Sequence, residues 1–199
     1  MTKLLSKGNA KLHKSVGIWS IIASQEVCGR ECEGCYAIKE QNRWKGTIIS
    51  GRTNRLELSK GLFFREQMIE EINKSKYKYI RIHGSGEFYS QEYVDKWTAI
   101  VRNCPDKLFY AYTKRHNEFN FEWLESLDNF ILHRSTVKGS RRHYLNFGDS
   151  KYLERIKKDL GHSKVFECPL VGLNNGGCGS ECTFCMDPTE TRQIVFKQH

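Results

Sequence analysis

Tyr77-Lys78-Tyr79-Ile80-Arg81-Ile82-His83 alternates apolar and polar positions and runs directly into Gly84-Ser85-Gly86-Glu87-Phe88-Tyr89. Period-two alternation in an aromatic and β-branched run specifies a strand, and the glycines mark the turn that ends it. The next stretch is helical in pattern: Val94, Trp97, Ile100, Val101 and Cys104 share one face of Gln91–Cys104, with Ser90 placed to cap its first turn. Cys104, on that stripe, reads as a small buried hydrophobe and not as a ligand. Strand, turn and helix together make the unit from which parallel sheets are built.

The same unit recurs on both sides. Upstream, Val16–Ala23 is a short buried strand, Tyr36–Trp44 a helix, Lys45–Leu58 a loop, and Leu62, Phe64, Met68, Ile69 and Ile72 form a helical stripe. Downstream, Leu108–Lys114 is a strand, Asn117–Leu127 a helix and Asn129–Val137 a strand. Lys138–Asn146 reads as a basic connection, Ser150–Leu160 as an amphipathic helix closed by Gly161, and Lys164–Glu167 as a fifth strand. Met1–Lys14 is a polar arm, and Gln193–Lys197 a small closing strand. The expected fold is α/β: a partial (βα) barrel of about five to six parallel strands over residues 1–167, with a Cys-rich metal-binding extension over 168–199 packed on it. A doubly wound open sheet is the alternative.

At 199 residues, with 39% hydrophobic and 12% aromatic content, the chain is long enough for one core and too apolar for a disordered tail. No stretch approaches membrane-spanning length, and the basic start lacks an apolar signal segment, so the expected location is the cytoplasm with no membrane partner. The net charge of +9 points to nucleic acid or another polyanion as a partner, or simply to a basic, soluble surface.

Eight cysteines in a chain without export features argue against a disulfide framework; grouped spacing points to metal. Cys28, Cys32 and Cys35 form a C-x3-C-x2-C array just after the first strand, and three cysteines around a [4Fe–4S] cubane leave one iron open to an outside ligand. Cys168, Cys178, Cys182 and Cys185 form a second group in a glycine-rich tail and offer four ligands for a closed auxiliary [4Fe–4S] cluster or a structural Zn²⁺. Further strand ends supply Lys114, Arg115, His133, Arg134 and Ser135, cations and hydroxyls suited to a carboxylate, a ribose or a phosphate.

The Cys28/Cys32/Cys35 array, followed one strand and one helix later by Gly84-Ser85-Gly86-Glu87, resembles the radical S-adenosylmethionine (SAM) enzymes. That resemblance implies a catalytic cluster at Cys28, Cys32 and Cys35, SAM received by Tyr36 and Gly84, Ser85, Gly86 and Glu87, and Lys114, His133, Arg134 and Ser135 lining the pocket. It also implies reductive cleavage of SAM to a 5′-deoxyadenosyl radical and an electron donor such as a flavodoxin or ferredoxin. Gly34, where many such motifs have an aromatic residue, departs from the pattern. A narrower likeness runs through Ile80–Trp97, Phe109–Lys114, Cys35-Tyr36-Ala37 and Cys168-Pro169, which are similar to the phage protein family catalogued as gene product eighty-eight. It implies a radical-SAM-like phage protein, working inside an infected host cell, of unspecified substrate. Cys32-Glu33-Gly34-Cys35-Tyr36 is also similar to the cluster loop of anaerobic ribonucleotide reductase activases, which deliver a radical to a partner enzyme. Against these enzymatic readings stands a non-catalytic, metal-stapled (Zn or Fe–S) nucleic-acid-binding phage protein.

Overall fold

The computed structural model describes residues 3–29, 35–135, 143–147, 158, 161, 165–169, 177–190 and 192–197. Within them one sheet of eight strands carries the molecule, in the order β1-β2-β3-β4-β5-β6-β8-β7. The strands are β1 (Ser6–Lys7), β2 (Val16–Ile18), β3 (Tyr79–Ile82), β4 (Leu108–Thr113), β5 (Phe130–Ser135), β6 (His143–Phe147), β7 (Val165–Glu167) and β8 (Gln193–Lys197). β1 runs antiparallel to β2, and every other pairing is parallel.

From β2 to β6 each strand lies beside its predecessor. Strand order therefore never reverses there, and the switch point of a doubly wound sheet is absent from that run. Among the described residues the edge strands β1 and β7 do not pair, so the sheet is not closed into a barrel.

Alternation along the strands assigns the two faces. Ile80, Ile82, Phe109, Ala111, Phe130 and Leu132 point to one side and join the principal core. That core is completed by helices α4 (Phe64–Lys74), α5 (Gln91–Arg102) and α6 (Glu122–Glu125). At its centre Trp19 packs on Phe64 and Trp97, with ring centroids 5.3 and 6.2 Å apart. The intervening positions Tyr79, Tyr110 and Ile131 form a second core with Val16, Ile18, Leu12 and Met186. Among the described residues no α-helix covers that face; a segment preceding β2 and the cysteine-bearing segment 177–190, with its single 3-10 turn at Phe184–Met186, do.

Several expectations are corrected. Lys45–Leu58 is not a loop but most of α3 (Thr47–Lys60), where Gly46, Gly51 and scattered polar residues leave no apolar stripe to read. The N-terminal arm is held: both Glu71 carboxylate oxygens accept backbone amides, from Leu4 at 2.6 Å and Leu5 at 2.7 Å, and Leu5 is buried. The helix expected over Asn117–Leu127 shrinks to α6, and the connection expected over Lys138–Asn146 contains β6. Most of the helix expected over Ser150–Leu160 lies outside the described residues. Ser90 does cap α5, its hydroxyl accepting the Tyr93 amide at 3.2 Å, and Cys104 is buried in the core.

Candidate functional site

Beyond Ile18 the chain stays extended and is held to the end of β3, the Trp19 amide donating to Arg81 and the Ile21 amide to Ser85, each at 3.0 Å. Glycine is needed in this turn. A Cβ on Gly84 would sit 2.6 Å from Ile18, and one on Gly86, whose φ is +84°, would sit 2.3 Å from Ile21. What approaches the glycines so closely is the chain's own segment 18–21.

The proximal cysteines meet this turn. Cys28 ends the short helix α1 (Gln25–Cys28), which Ser24 caps, and Gly29, at φ +70°, reverses the chain behind it. Cys35 is the N-cap of α2 (Tyr36–Arg43). Cys32 lies outside the described residues. The Tyr36 hydroxyl donates to the Gly84 carbonyl and so links the residue after Cys35 to the turn after β3. Arg115 completes the join by donating to the Val27 carbonyl at 3.1 Å and the Phe88 carbonyl at 3.2 Å.

Glu87 is buried in this turn. Its oxygens accept the Phe88 amide at 2.9 Å and the Lys114 amide at 2.8 Å, tying the ends of β3 and β4 together. Burial pushes its carboxyl above the usual range against these hydrogen bonds and that of Thr113. His83 stands out among the described non-glycine residues for its positive φ, +66°. The left-handed turn sends its ring away from the Tyr79–Arg81 face and into the aromatic core, 4.6 Å from Phe88. Burial lowers its pKa to about 3, so the ring is neutral. Nε2 lies 3.1 Å from the Tyr93 hydroxyl, whose oxygen already accepts from the Trp19 indole at 2.7 Å. The Tyr93 hydroxyl and His83 Nε2 thus share one hydrogen bond, leaving Nδ1 as the other polar atom of the ring. That Nδ1 and the Ser85 hydroxyl are buried without a hydrogen-bond partner. Backbone strain and orphaned polar atoms together mark functional turns.

The distal cysteines lie on the face of Tyr79, Tyr110 and Ile131. The Cys178 amide donates to the Lys11 carbonyl at 3.2 Å, and the His13 amide to the Cys178 carbonyl at 2.8 Å. His133 Nε2–H donates to the Cys185 carbonyl at 2.8 Å while its ring stacks on Tyr112 at 4.7 Å. Burial pushes the Cys185 thiol up to about 12; the Tyr112 hydroxyl bonded to it opposes the rise, and Cys178, Cys168 and Cys182 reinforce it. The four thiols thus lie in one electrostatic neighbourhood. Nevertheless, no three Cys, His, Asp or Glu side chains converge closely enough to hold a metal ion among the described residues, so the metal-binding character of this extension is not established.

The sites expected from sequence therefore divide. Cys28, Cys35, Tyr36, Gly84, Ser85, Gly86, Glu87 and the Lys114 backbone come together at the strand ends. His133 lies instead beneath the distal cysteines, Arg134 pairs with Glu125 of α6, and Ser135 ends β5, half-buried. Sequence reading passed over Arg81, Tyr110 and Tyr112 beneath the distal cysteines. Their signal was parity, because these polar and aromatic residues hold the alternate positions of β3 and β4.

No helix among the described residues is long and apolar enough to cross a membrane, and no solved structure matches the chain. The Gene 88 protein of Mycobacterium phage L5 is 38% identical over 58 residues, 29% of this chain and 24% of that protein. The Gene 88 protein of Mycobacterium phage D29 is 32% identical over 68 residues, 34% of this chain and 28% of that protein. The aligned part thus spans about a quarter of each relative's length. The Gene product 88 family profile reaches much further, matching residues 3–188 and so taking in the cysteine groups, the β3 turn and the sheet between them. By that match the chain belongs to the Gene product 88 family.

Proposed function

We propose that this chain is a small radical-SAM-type iron–sulfur protein in which a partial (βα) barrel carries a [4Fe–4S] cluster at Cys28, Cys32 and Cys35. When bound, cluster and SAM together supply reductive cleavage of the sulfonium carbon–sulfur bond, with the electron coming from a flavodoxin- or ferredoxin-class donor and methionine and a 5′-deoxyadenosyl radical as the products. The observation that carries the reading is the strained turn after β3: Tyr36 holds its Gly84 carbonyl, and His83 Nδ1 and Ser85 Oγ are left buried and unpartnered beside it. Such atoms call for a ligand.

The chain's own residues have separable tasks. Cys35 presents its thiol at a helix N-terminus, Tyr36 registers that helix on the turn, and Arg115 fixes the far side of the loop. His83 stays neutral within the aromatic core, so its ring puts no buried positive charge beneath the turn. Glu87 holds the two strand ends at a fixed spacing. The distal cysteines would hold an auxiliary [4Fe–4S] cluster or Zn²⁺; burial raises the Cys178 thiol above its ordinary range, and Arg81 opposes that rise.

Anaerobic reconstitution, with iron and zinc counted and 5′-deoxyadenosine assayed after dithionite, tests the reading. Wild type is expected to hold iron and release 5′-deoxyadenosine, and Cys28→Ala/Cys35→Ala to lose the proximal cluster's iron and all of the product. Zinc without iron in the wild type, or iron undiminished in the double variant, overturns it.

A further inference from the structure

A cavity of about 1140 Å³ opens at the other edge of the sheet from the proximal cysteines. Ser15 and Tyr77 line it just ahead of β2 and β3, so it lies at the N-terminal ends of strands whose C-terminal ends carry the strained turn. Its charge is lopsided. Lys3, Lys7, Lys14, Arg55, Lys74 and Lys76 line it, against two carboxylates, Glu70 and Glu71.

Both carboxylates are engaged. Glu70 pairs with Lys74, and Glu71 accepts the Leu4 and Leu5 amides. Lys7, Lys14 and Lys76 are exposed and make no ion pair among the described residues. These cations come from three separate segments of chain, β1, the approach to β2 and the approach to β3, so the fold assembles the patch. Leu4, Leu58 and Tyr77 supply apolar surface within the same cleft.

We propose that this cleft binds single-stranded nucleic acid, with backbone phosphates on Lys7, Lys14 and Lys76 and bases against the apolar floor. A small anion would need neither the volume, which exceeds the roughly 300–1,000 Å³ of ordinary ligand pockets, nor cations drawn from three segments. A flexible strand uses both, because a basic groove tracks its backbone while its bases cover apolar side chains. The chain's net charge of +9 would draw such a strand toward the cleft. The inference stands apart from the cysteine chemistry.

The test is fluorescence anisotropy of labelled dT20 with the full chain across a salt series. Wild type is expected to bind at low salt. Lys7→Gln/Lys14→Gln/Lys76→Gln should weaken binding at least tenfold and flatten the slope of log K against log salt by about 2, the loss of three single-strand phosphate contacts. The matching lysine-to-arginine triple variant should bind as wild type does, which separates lost charge from lost folding. Lys45→Gln/Arg65→Gln/Arg102→Gln, an equal charge change elsewhere, should weaken binding less than threefold. The proposal is overturned if that control weakens binding as much as the cleft variant, if wild type does not bind at low salt, or if duplex DNA or polyglutamate competes better than unlabelled dT20. Iron content and 5′-deoxyadenosine release, followed in parallel, report on the cysteine reading independently.

Discussion

The two faces of the sheet are built from neighbouring residues of the same strands, yet they differ in kind. One face, with Ile80, Ile82, Phe109 and Leu132, packs against helices in an aromatic core centred on Trp19, Phe64, Tyr93 and Trp97. The other carries Tyr79, Arg81, Tyr110, Tyr112 and His133 under a cover of irregular chain bearing Cys178 and Cys185. A helix presents a continuous apolar stripe and needs an apolar partner, whereas irregular chain brings unpaired carbonyls and thiols that need hydrogen bonds and charge. The first face supplies most of the buried apolar packing, and the second gathers the polar, aromatic and thiol groups.

That division can be broken by substitution. Trp97→Ala should cost about 3–5 kcal/mol of unfolding free energy, measured by urea denaturation; a cost below that of Tyr112→Phe would reverse the assignment of the two faces. Gly86→Ala at φ +84° must fit a Cβ 2.3 Å from Ile21. It should cost about 2–4 kcal/mol, combining left-handed strain with overpacking. Glu87→Gln puts an amide NH₂ against one of two backbone N–H groups, and a loss of about 1–3 kcal/mol is expected from the same denaturation measurement.

The pH dependence sharpens the contrast. The unfolded chain protonates His83 below about 6.5, whereas the buried ring resists down to about 3. Stability from this group is therefore whole above pH 6.5 and falls with pH by up to about 1.4 kcal/mol per unit through that window. Glu87, with its carboxyl raised, has the opposite sign: the native state holds a proton that the unfolded chain releases, so its contribution falls as pH rises above the ordinary glutamate value. Unfolding midpoints of His83→Asn measured from pH 7 to pH 4 should lose the first slope and expose the second. Tyr112→Phe, which keeps the stack on His133 and removes the hydroxyl bonded to Cys185, should cost only about 0.5–1.5 kcal/mol.

What was legible in the sequence was whatever had a local period. β3, α4, α5 and β4 carry their own alternation or stripe, and their core residues were readable from it. α3 was not, because it buries little beyond Leu56 and Ser59, and Gly51 with its threonines and serines reads as a loop. The held arm depends on Glu71, more than sixty residues away, and no window of sequence contains that contact. The strand-end site was readable in Cys28, Cys35 and Gly84–Glu87. Glu87's two backbone partners, His83's turn away from its strand's parity and the place of His133 under the distal cysteines all required the tertiary fold.

β1 is only two residues long, yet it occupies the open flank of β2, and Glu71 latches the two residues ahead of it. Stripped of that short cover, β2 would present bare amides and carbonyls to any passing chain, the template on which sheets stack into aggregates. A single carboxylate on α4 thus contributes to colloidal behaviour as well as to folding, and its loss would first be seen as turbidity.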